Sequence, residues 1–227
     1  GVPEHLLGTD QLGRDMLSRL IYGSRVSILI AIGGTTAAGL LGFIAGALAG
    51  YYGGIVDSVI GRLMDISLAF PFILLGIFVV AILGPGVDKI IIIAGITGWV
   101  RFARVVRGEI LSIKEMEYVE AIRSLGGSDF RIIIRHIFPN LISPFIIIAT
   151  LDLAKVILME ASLSYLGMGV PPQVPTWGRM LSESNSYLQT DPHMVILPGI
   201  TISLLVLGVN LLGDWLRDYM DPKLDTN

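Results

Sequence analysis

The chain has no cysteine, and only four lysines and three histidines among its 227 residues. Without thiols it can form no disulfide, zinc–thiolate centre or cysteine nucleophile. None of the lysines (Lys89, Lys114, Lys155 and Lys223) follows a glycine. That excludes the G-x-x-x-x-G-K-[ST] loop that cradles nucleotide phosphates. H-E-x-x-H and G-x-S-x-G are missing as well, so neither a zinc protease helix nor a nucleophile elbow is present. His5, His136 and His193 lie far apart. Charge is also scarce: 15% of residues, against 53% hydrophobic and a mean hydropathy of +0.73. Soluble domains carry about 25% charged residues, so this composition points to a membrane protein. The net charge of -3 gives no footing for a nucleic-acid partner.

What is present is a succession of apolar segments. A helical span needs about 20 mostly apolar residues. No charge occurs between Arg25 and Asp57 or between Asp65 and Asp88, which predicts spans near 26–50 and 66–84. A third is predicted at 88–107, with Arg101 and Arg104 snorkelling from its end. A fourth runs from Pro139 to about Ser162, and a fifth over 194–213. Ten of the sixteen basic residues, from Arg62, the 101–135 segment, Arg217 and Lys223, then fall on one side. Five fall on the other: Arg14, Arg19, Arg25, Lys89 and Arg179. The basic side is cytoplasmic by the positive-inside rule, and it includes the C-terminus. The opening "GVPEHLLGTDQLGRD" does not read as a signal peptide. Five spans put the two ends on opposite faces, so a further span ahead of Gly1 is expected.

Between the third and fourth spans, about 108–138, lies "EYVEAIRSLGGSDFRIIIRHIFPN". Tyr118, Ala121, Ile122 and Leu125 fall at i, i+3, i+4 and i+7, one apolar face of a short helix. Glu117, Glu120, Arg123 and Ser124 take the other face. Gly126-Gly127 supplies a left-handed stop. Ser128 or Asp129 can cap a second short helix, and Pro139 suits the first turn of the next span. An amphipathic helix lying on lipid usually has a Lys/Arg-rich polar face. The two glutamates and the glycine turn here fit a docked helix better.

Glu120-Ala121, Gly126 and Pro139 match the spacing of the EAA motif, and the chain resembles the permease subunits of ABC importers. Ile122, His136 and Phe138 depart from the family pattern. The stretches "HLLGTDQLGRDMLSRLIYGSRVSI" (5–28), "EASLSYLGMGVPPQVPTWGRML" (160–181) and "NLLGDWLRDYMDPK" (210–223) are similar to the dipeptide/oligopeptide/nickel branch, second-permease type. The resemblance covers almost the whole chain. It implies an all-α integral membrane fold of the type I importer kind, a single domain over 1–227, six spans of which five are visible, and a prokaryotic cell membrane. It also implies that 117–127 is a coupling helix for an ATPase. The partners would be a second permease, two ATPase subunits carrying ATP and magnesium, an external solute-binding protein and the bilayer. This chain itself would bind no cofactor and perform no catalysis. The substrate would be a di- or oligopeptide, with nickel or another small solute as the alternative. A stand-alone channel or secondary transporter would need no such helix.

The fourth span carries Asp152, Lys155 and Glu160. A charge at such depth costs about 2.5–3.5 kcal/mol on the insertion scale. Asp152 and Lys155, at i and i+3, either neutralise each other or line a solute path. Glu160, in the family-like "EASLS", reads as pathway-adjacent. Gly34, Ala38, Gly42, Gly46 and Gly50 recur every fourth residue, a ladder for close helix approach. It would serve the expected first span or the partner permease. In the external segment 163–193, with four prolines, Trp177 and Tyr187 suit a membrane-interface re-entrant or cap structure, an ordered lid that the resemblance implies lies below the binding protein. No His-rich cluster offers a metal site.

Overall fold

A computed structural model describes residues 5–220. Lys223, counted above on the basic side, and the close of the 210–223 stretch lie outside the described residues. Within them the chain is helical, with one isolated bridge between Thr9 and Asp15.

Helix α1 is Met16–Tyr52. Asp15 caps it, its carboxylate accepting from the Ser18 amide at 2.7 Å, and Gly53 ends it at φ +65°. Helix α4, Val87–Lys114, lies along it. The small-residue ladder makes this contact. A methyl on Gly42 would sit 2.4 Å from the Trp99 carbonyl, and one on Gly46 2.5 Å from the Ala103 carbonyl. Gly34 meets Ala94, Ala38 meets Gly98, and Gly50 meets the Arg107 carbonyl. The ladder is therefore occupied within this chain rather than reserved for a preceding span or a partner. With no side chain between them, the two backbones approach closely and gain dispersion contact along their length.

The expected span at 66–84 is not one helix. Helix α2 (Gly54–Ala69) and helix α3 (Phe72–Leu83) meet at an 86° bend. Pro71 is the cause. It forces Phe70 into an extended conformation and cannot continue the ladder. Helix α3 has 12 residues, roughly 18 Å, too short to cross a ~30 Å core alone. The third expected span is longer than read: α4 continues seven residues past 107, to Lys114. Arg101 thus sits at mid-helix rather than at a helix end. Asp57 clasps Arg107 through two hydrogen bonds, 2.5 and 2.6 Å, tying α2 to α4.

Helix α5 (Glu117–Ser124) and helix α6 (Asp129–Ile132) follow, and a π-helical turn, Ile133–Ile137, leads into α7, Phe138–Tyr165. Pro139 lies in the first turn of α7. Within the 163–193 segment the chain folds into helix α8 (Trp177–Ser184) and a 3₁₀ turn over Asn185–Tyr187, before α9, His193–Met220. Helix α1, the π-turn with α7, and α9 are long and apolar enough to cross a membrane, and the α2–α3 pair together makes a broken fourth. Charged residues along α4 dilute its hydropathy. Helix α1 runs from the α8 end of the bundle, where Trp177 meets Leu20, to the α5–α6 end, where Tyr51 meets Asp129.

Candidate functional site

The helix–turn–helix at the α5–α6 end is built on a small buried row. Val119, Ile132 and Ile137 pack with Val106, Ile110 and Ile113 of α4 and Leu141 of α7. Val119 is fully buried and Ile122 half-buried, whereas Tyr118 is 41% and Leu125 88% exposed. Glu117, Glu120, Ala121 and Ser124 are exposed too. The expected apolar face is thus divided: Ile122 turns to the body, while Tyr118, Ala121 and Leu125 look outward. Tyr118 leans towards His136, ring centroids 6.2 Å apart.

Gly126 stands at φ +81°, the left-handed stop expected from sequence. The Gly127 amide reaches back to the Ile122 carbonyl at 3.0 Å, the six-to-one bond of a Schellman turn. Sequence reasoning gave Gly127 no separate role. A methyl there would lie 2.6 Å from Ile122 Cγ2, so both glycines are required, one for conformation and one for space. Beyond the turn, the Tyr51 hydroxyl donates to Asp129 Oδ1 at 2.5 Å, and Lys114 Nζ donates to the Tyr51 carbonyl at 2.9 Å. Helix α6, the π-turn and α7 follow with helical backbone at both junctions. The three form one continuous helical rod from the module towards the far end of the bundle.

A second site lies midway along that rod. A cavity of about 410 Å³ opens between the α2–α3 elbow, α4 and α7. Its lining is mostly apolar, but Arg101 and Lys155 both reach it. Asp152 does not pair with Lys155. Its Oδ1 lies 2.8 Å from Arg101 Nη2 across the α4–α7 contact. The i, i+3 spacing is outcompeted because Asp152 points into the protein, 2% exposed, while Lys155 is exposed. The contact is one of charge rather than an aligned hydrogen bond, and both Asp152 oxygens and the neighbouring Thr35 hydroxyl lack an aligned partner. Glu160 does not reach the cavity either. It is 1% exposed and accepts from Ser164 at 2.7 Å and from Ser27 at 3.3 Å, joining α7 to α1. Glu160 is thus held inside the chain, between α7 and α1, rather than in the cavity lining.

Residues 38–226 match the family model described as the binding-protein-dependent transport system inner membrane component. The chain belongs to this family of ABC importer permeases. The permease is 44% identical over 221 residues to the dipeptide transport system permease protein DppC of Alkalihalophilus pseudofirmus, covering 97% of this chain and 73% of that protein. It is 44% identical over 220 residues to the glutathione transport system permease protein GsiD of Pectobacterium atrosepticum, with the same coverage. It is 42% identical to the di/tripeptide permease DppC of Pseudomonas aeruginosa, over 99% of this chain and 74% of that protein. Among solved structures it superposes on an inward-facing form of the MetNI methionine ABC transporter at a TM-score of 0.72 and 18% identity, over 91% of this chain and 98% of that one. An amino acid ABC transporter structure gives 0.67 at 15% identity, over 90% and 93%. These two establish the fold alone.

At the far end of the permease, sequence reasoning missed a polar lock. Asp10 Oδ2 accepts from Arg14 Nε and Arg19 Nη1, each at 2.6 Å. Glu183 Oε2 accepts from Arg14 at 3.0 Å and Arg19 at 2.8 Å, and its Oε1 accepts from Arg179 at 3.0 Å. Burial pushes both carboxyls up, but these donors outweigh it. The amides of Arg14 and Leu12 also hold Asp10 below its ordinary range, and Arg19 and Arg179 do the same for Glu183. Trp177 Nε1 donates to the Leu20 carbonyl at 2.9 Å, and its ring is buried rather than at a lipid interface. The "GTDQLGRD" loop and α8 are thereby clamped to each other. The i, i+4 spacings Asp10/Arg14 and Arg179/Glu183 were readable; the join across more than 160 residues was not.

Proposed function

We propose that this chain is one of two permease subunits of an ATP-driven, binding-protein-dependent importer of di- and oligopeptide-type solutes, glutathione among them. The named relatives carry dipeptides, di/tripeptides and glutathione, and that supports peptide-type cargo over nickel. In this reading α5 seats in a groove of an ATPase subunit, which holds the ATP and magnesium. A second permease completes the path, and a solute-binding protein delivers cargo over α8, on the outer face of a prokaryotic cell membrane. The α5 end and the C-terminus face the cytoplasm.

The observation that carries the reading is the eight-residue α5, anchored by Val119 while Tyr118, Ala121 and Leu125 stand exposed, on a glycine turn feeding a continuous α6–α7 rod. A stand-alone channel has no use for such a lever. The test uses the assembled importer. Gly126→Val strains the left-handed turn by roughly 1–2 kcal/mol, and Glu120→Arg inverts an exposed charge. Both variants should assemble in the membrane yet lose the ATPase stimulation given by loaded binding protein. A cysteine replacing Ser124 should cross-link to one in the ATPase groove, with no native cysteine to interfere. Normal stimulation and transport in both variants, with no cross-link from any position in 117–127, would leave α5 as a lipid-surface helix.

A further inference from the structure

The cavity between the α2–α3 elbow, α4 and α7 carries a charge imbalance that the importer reading does not use. Its walls are apolar, with Phe72 and Met159 among them. Its two hydroxyls, Thr97 and Ser162, are turned to their own helices, donating to the Ile93 and Leu158 carbonyls at 2.8 and 2.7 Å. The charged donors in the lining are Arg101 and Lys155. Asp152, outside the lining, answers one of them: it touches Nη2 of Arg101 and is buried, while the Arg101 side chain remains 36% exposed. Lys155 makes no close ion pair among the described residues and interacts with the Asp152 carboxylate only at longer range. Two cations and one carboxylate leave one positive charge over in the lining of a mostly apolar cavity. A fixed anion on this chain would have cancelled it. Its absence suits a site whose anion arrives with the cargo and leaves with it.

We propose that Arg101 and Lys155 form a seat for a carboxylate of the transported solute, the C-terminal carboxylate where the cargo is a peptide, and that Asp152 positions the guanidinium. The seat rests on the importer reading and adds to it which end of the cargo this subunit holds. A guanidinium held at one nitrogen keeps its other donors for a planar carboxylate, and the ammonium adds a second charge-assisted bond. The apolar walls tolerate varied side chains, so recognition falls on the group that peptides share.

The experiment reconstitutes the whole importer, with its binding protein, in liposomes. It measures ATP-driven uptake of a mixed short-peptide library as free acids, as C-terminal amides, and as amides bearing an acidic side chain. Wild type should favour free acids. Lys155→Gln, and Arg101→Gln combined with Asp152→Asn to keep the buried charge balanced, should each lower free-acid uptake roughly tenfold, as expected for a lost charge-assisted bond. Amide uptake should hardly change, so the preference should collapse. Lys155→Arg should retain it. Asp152→Asn alone should weaken the preference while the assembled complex is still recovered. Uptake of acidic-side-chain amides at the free-acid level would overturn the assignment to the C-terminal carboxylate. An unchanged acid-to-amide ratio in assembled Lys155→Gln and double-variant importers would overturn the seat and leave the importer reading standing. A wild-type complex that takes up none of the three libraries would overturn both.

Discussion

Helices α8 and α5 are each eight residues long and occupy opposite ends of the bundle. Helix α8 buries Trp177, Gly178, Met180 and Ser184, starts on a Thr176 cap, and is clamped by the Arg179–Glu183–Arg19 contacts. Helix α5, among its described side chains, buries only Val119. The Gly178 backbone presses on Ala161, where a methyl would come within 2.5 Å, while Gly126 has open space around it and is constrained only by its φ. One short helix has its contacts made within the chain. The other presents apolar surface with nothing beneath it. A helix of this length has little stability of its own in water, so each depends on a partner surface. For α8 that surface is α1, α7 and α9. For α5 the contacts within the chain include Val119 in the buried row and Tyr118 beside His136, and the proposed ATPase groove would supply the rest.

The sharpest way to break the contrast is to remove the anchor of α8. Trp177→Ala deletes a buried indole and its bond to the Leu20 carbonyl, and should cost about 3–5 kcal/mol. Thermal unfolding of the detergent-solubilised permease, followed by circular dichroism, should fall well below wild type. A melting temperature within error of wild type would mean that α8 is not a structural clamp.

A smaller effect should follow at the polar lock. Asp10→Asn leaves Arg14 and Arg19 short of a buried counter-charge, a loss of up to about 3 kcal/mol by the usual cost of breaking such pairs. The same lock sets a pH response. The Asp10 and Glu183 carboxyls titrate below their ordinary range when folded, so their stabilisation is present above the unfolded values near pH 4 and is lost as pH falls through the folded ones. The melting temperature of wild type should decline faster below about pH 4 than that of Asp10→Asn. Parallel pH curves for the two proteins would remove these carboxylates from the stability of the α8 end.

The contrast also marks what could be read in advance. Long, mostly apolar runs give α1, α7 and α9, because a membrane-spanning helix must be apolar along most of its length and the sequence displays that directly. The α5 turn was legible for a local reason: two glycines after a 3.6-residue periodicity leave few other backbones. Three features were not read correctly. Pro71 sits inside an apolar run whose hydropathy masks the 86° elbow it imposes. The glycine ladder announces close approach but not to whom, and α4 lies more than 40 residues away. Asp152 and Lys155 look paired because they are neighbours on one helix, but their side chains diverge and Arg101 comes in from another. In each case the local signal was real and its partner was tertiary.

The smallest expected effect on stability sharpens the comparison most. Leu125 is 88% exposed, so Leu125→Ser should change the melting behaviour of the isolated permease by less than about 0.5 kcal/mol. Val119→Ser, six residues earlier and fully buried, should cost about 2–4 kcal/mol, since it leaves a cavity and buries a hydroxyl. The order should invert in the assembled importer. An exposed leucine between α5 and its glycine turn is the side chain of this module best placed to fill a partner's pocket, and truncating such an anchor often costs more than 1 kcal/mol of binding. Stimulated ATPase activity should then fall roughly tenfold in Leu125→Ser at subunit concentrations near the dissociation constant, with the permease itself intact. Two results would count against the comparison. If Leu125→Ser melts as low as Val119→Ser, α5 is held by its own chain as firmly as α8 is. If it melts normally and couples normally, the exposed face of α5 touches no partner through Leu125, and docking must run through Tyr118 and Ala121 instead.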